Sequence, residues 1–219
     1  MKYLIITKTK WGNDVYSSLD KNFTVLNKYN LKLIKMLNPK IIFFLHWSNI
    51  IPSKIFKNFT CIQFHSSDLP KFKGGSPIQH QILHGFNRTK ISAFKVSEKI
   101  DQGEICLKEN LSLRGNAEEI FTRMEKICLK MIIKIAKSKK LTFKKQTKNS
   151  KIYKRRKPSE SQINLNKVEN IKYIYNFIRA TDAKNYPPAF IKFKKFVIEF
   201  YNAKIKSKKL YAEIKISKN

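Results

Sequence analysis

Several features that mark other protein classes are missing from this chain. No run of about 18 apolar residues occurs, so a transmembrane helix is not expected. The opening residues, MKYLIITKTKWGND, have too short an apolar stretch for a secretory signal peptide and no small-residue cleavage site. They fit a first β-strand better. The sequence therefore predicts a cytoplasmic protein without membrane insertion.

Thiols and imidazoles are also scarce. The three cysteines, Cys61, Cys106 and Cys128, are odd in number and lack the spacing of a metal site. They fit buried free thiols in a reducing compartment. The four histidines offer no convincing ligand set either. We therefore expect no bound metal.

Acidic residues are few, because 15 Asp and Glu oppose 46 Lys and Arg, for a formal net charge of +31. Such a surplus favours encounter with anionic partners. Only six of the basic residues are arginine, and the lysines are spread along the whole chain. Proteins that read nucleic acid rely on arginine and interleave aromatic residues at a site. We therefore favour a solvated basic surface, and RNA or a phosphorylated small molecule is the alternative partner.

The first 140 residues do contain strand and helix patterns in alternation. Apolar or alternating runs predict strands at 2–7, 22–27, 40–47, 60–65, 90–97 and 104–113. Helical spacing and end signals predict helices at 31–39, 51–59, 76–85 and 116–138. Strands that alternate with helices predict an α/β domain with a largely parallel sheet.

The pattern changes after residue 140. Residues 141–162 are polar, basic and contain a proline, which is typical of a linker. A helix is predicted at 168–181, and about three short strands follow at 190–216. The expected domains are therefore a catalytic domain at 1–140, a linker at 141–162 and a small C-terminal helix plus β module at 163–219.

One stretch stands out for its chemistry: CIQFHSSDLPKFKGGSPIQHQILHG, residues 61–85. It places His65 at the end of a predicted strand and follows it with a loop that contains proline and glycine. A later strand delivers Asp101 into a turn closed by Gly103. Ligands bind outside the carboxyl ends of strands in open α/β sheets. The order of these features predicts a site around His65 and Asp101.

Residues 65–105 resemble the core of the folate-dependent formyltransferases, in which N-x-H-x-S-x-L-P precedes R-G-x-x-P and then D-x-G. Eight positions agree in step: His65, Ser67, Leu69, Pro70, Gly74, Pro77, Asp101 and Gly103. Weaker resemblance extends through FFLHWSNIIPSKIF, YKRRKPSESQI and FIRATDAKNYPPAF. The resemblance implies a Rossmann-like formyltransferase domain with a mostly parallel sheet, and a small C-terminal β module.

The resemblance also implies a formyl donor, 10-formyltetrahydrofolate, and three catalytic residues. His65 would donate a hydrogen bond to the oxyanion that forms when an amine attacks the formyl carbon. Asp101 would orient His65 or a water and help to accept the proton of the amine. Gln63 stands where the family has asparagine, and its longer arm leaves its reach to the oxyanion open.

Binding residues follow from the same resemblance. The expected donor-binding residues are Trp47, Ser48, Asn49, Ile51, Val96 and Lys99, with core packing as the alternative for Trp47. The expected acceptor-binding residues are Gly74, Gly75, Ser76, Gln79, Arg155 and Arg179. The two arginines suit a diphosphate or other anionic handle. Surface charge and the helix dipole are the alternative explanations for them.

The acceptor is the least constrained part of the prediction. The segment YKRRKP and the paired glycines resemble sugar-nucleotide N-formyltransferases, which favours transfer to the amine of a nucleotide-linked amino sugar. The alternative is a methionyl-tRNA formyltransferase, although little chain follows the linker for the C-terminal barrel of that enzyme. A second alternative is a non-catalytic RNA-binding protein on the same fold. Homodimerisation and tRNA binding stay open.

Overall fold

The computed structural model describes residues 2–8, 16, 19–147 and 150–218 of the 219-residue chain. Its strands are β1 (Tyr3–Thr7), β2 (Phe23–Leu26), β3 (Ile41–Leu45), β4 (Cys61–His65), β5 (Lys73–Gly74), β6 (Arg88–Lys95), β7 (Ile105–Ser112), β8 (Ile152–Tyr153), β9 (Ala189–Phe193), β10 (Phe196–Lys206) and β11 (Lys209–Lys218). Its α-helices are α1 (Leu31–Leu37), α2 (Ser53–Phe56), α3 (Pro77–Leu83), α4 (Ala117–Lys137) and α5 (Ile171–Thr181), and short 3-10 turns cover Pro158–Ser161 and Leu165–Lys167.

Six strands form the main sheet in the order β2-β1-β3-β4-β6-β7. Strand β1 pairs in parallel with β2 and β3, β3 pairs in parallel with β4, and β6 runs antiparallel to β4. All residues of β1 and β3 are buried, as expected for central parallel strands covered on both faces. The predicted α/β fold with a mostly parallel sheet is confirmed.

Helix α4 begins where the sequence predicts, because Asn116 caps it. The side chain of Asn116 accepts a hydrogen bond from the Glu119 backbone nitrogen at 3.0 Å, and Glu119 accepts one from the Asn116 backbone nitrogen at 3.0 Å. This reciprocal pair is a capping box, which satisfies two of the free N–H groups at a helix start.

The small C-terminal β module is also confirmed. Strands β9, β10 and β11 form an antiparallel sheet in the order β11-β10-β9. Helix α5 contributes Phe177 and Ile178 to a buried cluster that includes Ala189 of β9. Apolar contact between helix and sheet therefore holds this module together.

The chain forms two compact units that are discontinuous in sequence. One contains Met1–Gly74, Thr89–Leu111 and Thr122–Ile152, and the other contains Gly75–Arg88, Ser112–Phe121 and Tyr153–Asn219. The domain boundaries expected from the sequence follow chain order and stay a prediction. Among the described helices, none combines the length and apolarity needed to cross a bilayer.

Candidate active site

His65 and Asp101 lie together in the first unit. His65 ends β4, and Asp101 lies in the turn after β6 with a left-handed φ of 52°. The Nδ1 atom of His65 is 3.6 Å from Oδ2 of Asp101, and both side chains are largely buried, with 9% and 7% exposed. This distance is within ion-pair range and long for a hydrogen bond. The structure thus brings together the imidazole and carboxylate that the sequence predicts to work as a pair.

The loop after β4 fixes both side chains. Nε2 of His65 lies 2.8 Å from the Phe72 carbonyl oxygen, and the Gly74 backbone nitrogen donates to Oδ2 of Asp101 at 2.8 Å. A carbonyl oxygen only accepts, so Nε2 carries the hydrogen in this arrangement. Nδ1 therefore faces the Asp101 carboxylate. Donation from Nε2 to a substrate oxygen requires displacement of the Phe72 carbonyl.

Buried serines hold the same loop in shape. The hydroxyl of Ser67 donates to the Lys71 carbonyl oxygen at 2.6 Å. The hydroxyl of Ser92, on β6, donates to the Ser67 carbonyl oxygen at 2.7 Å and accepts from the Leu69 backbone nitrogen at 3.2 Å. These bonds attach the loop to the sheet. The loop groups that contact His65 and Asp101 are therefore held in place.

Two lysines form ion pairs with the carboxylate of Asp68. Lys108 donates to its Oδ1 and to the Leu69 carbonyl oxygen, both at 2.5 Å, and Lys90 lies 3.6 Å from its Oδ2. Partial burial would raise the pKa of Asp68, but the hydrogen bond and charge of Lys108, with help from Lys90, lower it below the usual value. Asp68 therefore stays ionised and acts as an anchor for the loop.

Gln146 fixes the Asp101 turn and was missed by sequence reasoning. Its side-chain nitrogen donates to the Asp101 carbonyl oxygen at 2.9 Å and to the Gly103 carbonyl oxygen at 2.8 Å. It falls in the segment that the sequence predicts to be a linker, and no motif or periodicity marks it. Lys144, two residues earlier, exchanges backbone hydrogen bonds with Ile105 of β7. This part of the segment is therefore bound to the sheet.

Gln63 contacts the expected donor-binding loop. Its side-chain nitrogen donates to the Trp47 carbonyl oxygen at 3.1 Å. Trp47, Ile51 and Val96 belong to one buried cluster and are 7%, 6% and 8% exposed. The Trp47 ring also lies 5.7 Å from that of Phe44, so it packs in the core. The other three expected residues, Ser48, Asn49 and Lys99, are exposed.

His46 lies beside Trp47 and faces helix α4. Its Nε2 is 3.6 Å from Oε1 of Glu125, whose side chain is 3% exposed. Burial lowers the pKa of His46 from 6.5 to about 4. The folded protein therefore holds His46 neutral at neutral pH.

We expect this burial to make stability fall in acid. The unfolded chain protonates His46 near pH 6.5 and the folded chain only near pH 4, so the contribution is complete above pH 6.5 and is lost as pH falls towards 4. The loss is at most about 1.4 kcal/mol per pH unit, reduced by the nearby Glu125 carboxylate. Urea unfolding at pH 7, 6 and 5 measures it. His46→Gln should flatten the dependence, whereas the control His84→Gln should not; equal slopes in both would contradict the assignment.

The remaining glycine-loop residues lie in the second unit. A Cβ on Gly75 would be 2.4 Å from the Arg155 Cα atom, so this close approach of two backbones requires glycine. The Ser76 hydroxyl accepts from the Arg156 backbone nitrogen at 3.1 Å. Gln79 is 2% exposed, and its side-chain nitrogen lacks a hydrogen-bond partner within the described residues. Arg155 itself is exposed.

Arg179 is part of the interior of the second unit. It is 3% exposed, and its guanidinium donates to the carbonyl oxygens of Leu113 and Gly115 at 2.5 and 3.0 Å and to the Asn176 side chain at 2.8 Å. Burial lowers its pKa. These bonds give Arg179 a role in the interior of the unit, and its expected role in acceptor binding stays a prediction.

Over the ranges that the structure describes, no three His, Cys, Asp or Glu side chains come close enough to hold a metal ion.

Two protein-family models match the chain. The model described as "Formyl transferase" matches residues 15–134, and the model described as "Methionyl-tRNA formyltransferase, C-terminal domain" matches residues 158–217. A methionyl-tRNA formyltransferase of Thermodesulfovibrio yellowstonii is 30% identical over 158 residues, which are 69% of this chain and 51% of that protein. The chain spans about half or less of the length of the curated relatives it matches.

Solved structures with the same fold include two instructive cases. A methionyl-tRNA formyltransferase from Clostridium thermocellum is 38% identical, covers 100% of both chains and superposes with a TM-score of 0.91. A sugar N-formyltransferase from a Shewanella species is 14% identical, covers 89% of this chain and 93% of its own, and has a TM-score of 0.64. The second likeness concerns the fold alone.

Proposed function

We propose that this chain, which belongs to the formyl transferase family, transfers a formyl group from 10-formyltetrahydrofolate to the amine of a methionyl-tRNA. The observation that carries this choice of acceptor is similarity along the whole chain to the methionyl-tRNA formyltransferase of Clostridium thermocellum. The match of residues 158–217 to the C-terminal domain model of such enzymes supports it. The net charge of +31 also suits a polyanionic substrate.

The comparisons support this acceptor better than the nucleotide-linked amino sugar that the sequence favours. The relatives described as methionyl-tRNA formyltransferases are 30% and 38% identical, whereas the sugar N-formyltransferase is 14% identical. Arg179, one of the two arginines expected to meet an anionic handle, already donates to the carbonyl oxygens of Leu113 and Gly115.

The residues expected to hold the formyl donor include an apolar group, as a flat ring system would require. Trp47, Ile51 and Val96 share one buried cluster and each keeps 6–8% of its surface exposed. The Trp47 indole nitrogen is buried without a hydrogen-bond partner among the described residues. A buried N–H group without a hydrogen-bond partner costs free energy unless a polar group of a bound molecule reaches it. The bound donor would supply an activated formyl carbon.

The two central side chains divide the proton chemistry. His65 would donate from Nε2 to the formyl oxygen as that oxygen gains negative charge, once the Phe72 carbonyl has yielded. Asp101 would accept the proton that the attacking amine loses, directly or through Nδ1 of His65. Burial of both groups strengthens their interaction with developing charge, because solvent screens it less.

The test is a competition between acceptors. The protein is incubated with 10-formyltetrahydrofolate and either charged initiator tRNA or a panel of nucleotide-linked amino sugars, and the products are weighed by mass spectrometry. A gain of one formyl group on methionine, absent with the His65→Ala variant, supports the proposal. Formylation of a sugar alone would overturn the acceptor. Salt-sensitive tRNA binding without formyl transfer to any acceptor would overturn the activity.

Gln63 offers a separate prediction within this function. Because its amide holds the Trp47 carbonyl, Gln63→Leu should raise the KM for the donor about fivefold, the effect of one lost hydrogen bond of about 1 kcal/mol, with little change in kcat. Steady-state kinetics at varied donor concentration separates the two constants. A fall in kcat at unchanged KM would instead indicate that Gln63 contacts the oxyanion.

A further inference from the structure

The three-stranded sheet of the second unit has an exposed apolar face. Residues directly opposite each other on neighbouring strands share a face. The register pairs Ile198 with Ile216 and Phe200 with Ile214, so these side chains lie on one side. Helix α5 packs against part of that side. The large apolar side chains that stay exposed on this sheet include Phe193, Phe196, Ile205, Ile214 and Ile216.

The two edges of this sheet differ. At the β9 edge, the Ile163 backbone nitrogen donates to the Phe190 carbonyl oxygen at 2.7 Å, so the preceding chain covers it. At the other edge lies β11, ten residues long, in which every residue except Leu210 is exposed. Within the described residues no strand pairs with its outer side. Long exposed edge strands are ready templates for pairing with another chain.

We propose that β11 pairs antiparallel with β11 of a second copy of this chain, about a two-fold axis through Ile214. A two-fold axis perpendicular to the sheet keeps the apolar faces of both copies on the same side. Such an axis places one residue of β11 directly opposite the same residue of the second copy. This register places Ile214 opposite its own copy and Ile216 opposite Ala212. It also places Glu213 opposite Lys215 twice, once on each side of the axis.

Charge selects this register over its neighbours. An axis at residue 213 would place Glu213 opposite Glu213 of the second copy, and an axis at 215 would do the same for Lys215. An axis at residue 212 would place Lys209 of one copy opposite Lys215 of the other. Like charges directly opposite each other destabilise a strand pair, and opposite charges stabilise it. Lys215 already lies 3.5 Å from Glu199 on β10. The paired sheet therefore carries an alternating row of negative and positive charges across the interface.

A charge exchange tests the pairing. The purified full chain, treated with nuclease, should sediment at twice the 25.8 kDa mass of one copy. Glu213→Lys and Lys215→Glu each turn two attractive contacts into repulsive ones and should raise the dimer Kd at least about tenfold. An equal mixture of the two variants restores both contacts and should form a heterodimer. Glu169→Lys, an exposed change of the same sign outside the sheet, should leave the Kd unchanged.

A cross-link tests the position of the axis without altering charge. Ile214→Cys places two thiols opposite each other and should form an intermolecular disulfide under mild oxidation, whereas Ser217→Cys, which faces Tyr211, should not. Three results would overturn the proposal. The wild-type chain could be monomeric at all concentrations, or its dimer could be lost on nuclease treatment because RNA bridges the copies. Each charge variant could also, on its own, dimerise as tightly as the wild type.

Discussion

His65→Ala is expected to lower the rate constant of formyl transfer by about two to four orders of magnitude, the range for loss of an oxyanion donor or an acid–base group. Asp101→Asn should fall in the same range, because a neutral amide cannot accept the proton that the attacking amine loses. Single-turnover rates at saturating donor and acceptor measure the effect on the chemical step.

The loss should be specific to this imidazole. His84→Ala removes an exposed histidine whose contacts include the His80 carbonyl oxygen and the Tyr153 ring. It should keep kcat within about twofold, as is usual for surface changes. Thermal unfolding of each variant separates lost chemistry from lost folding. If both the His65 and Asp101 variants kept near-normal rates, the proton chemistry assigned to the pair would be wrong.

The parts of this protein that the sequence predicts well are those with local or periodic causes. The buried strands β1 and β3 are short apolar runs, and α4 has its own capping residues. His65 could be placed at the sheet edge because a strand pattern ends there. These features depend on neighbours in sequence, which is what patterns record.

The parts that it predicts poorly depend on contacts between distant residues. Gln146 reaches Asp101 across 45 positions, and Arg179 reaches Leu113 across 66. Each is a single polar residue whose distant partners are backbone carbonyls, so neither leaves a spacing or a composition that a pattern could detect. The exposure of the apolar face of the β9–β11 sheet could not be predicted for a different reason. Alternation of apolar and polar residues predicts a strand but does not show whether another element covers it.

Gly103→Ala is expected to lower the free energy of unfolding by about 3 kcal/mol, the upper range for forced overpacking. A Cβ at this position would lie 1.6 Å from the Lys95 carbonyl oxygen and 2.8 Å from the carbonyl carbon. The obstacle is backbone, so it cannot rotate away as a side chain would. Relief requires the turn to separate from β6, which strains the hydrogen bond from the Lys95 nitrogen to the Glu104 carbonyl oxygen at 2.8 Å.

The same displacement should reduce catalysis, because the turn carries Asp101 and is held by the two bonds from Gln146. Urea unfolding and kcat are measured together. Gly85→Ala is the matched control: its φ of +81° disfavours alanine, but its Cβ meets nothing within 4 Å, so it should cost only about 1 kcal/mol and spare kcat. A Gly103→Ala variant more stable than Gly85→Ala would show that the turn yields freely, and the rigid placement of Asp101 would then have to be abandoned.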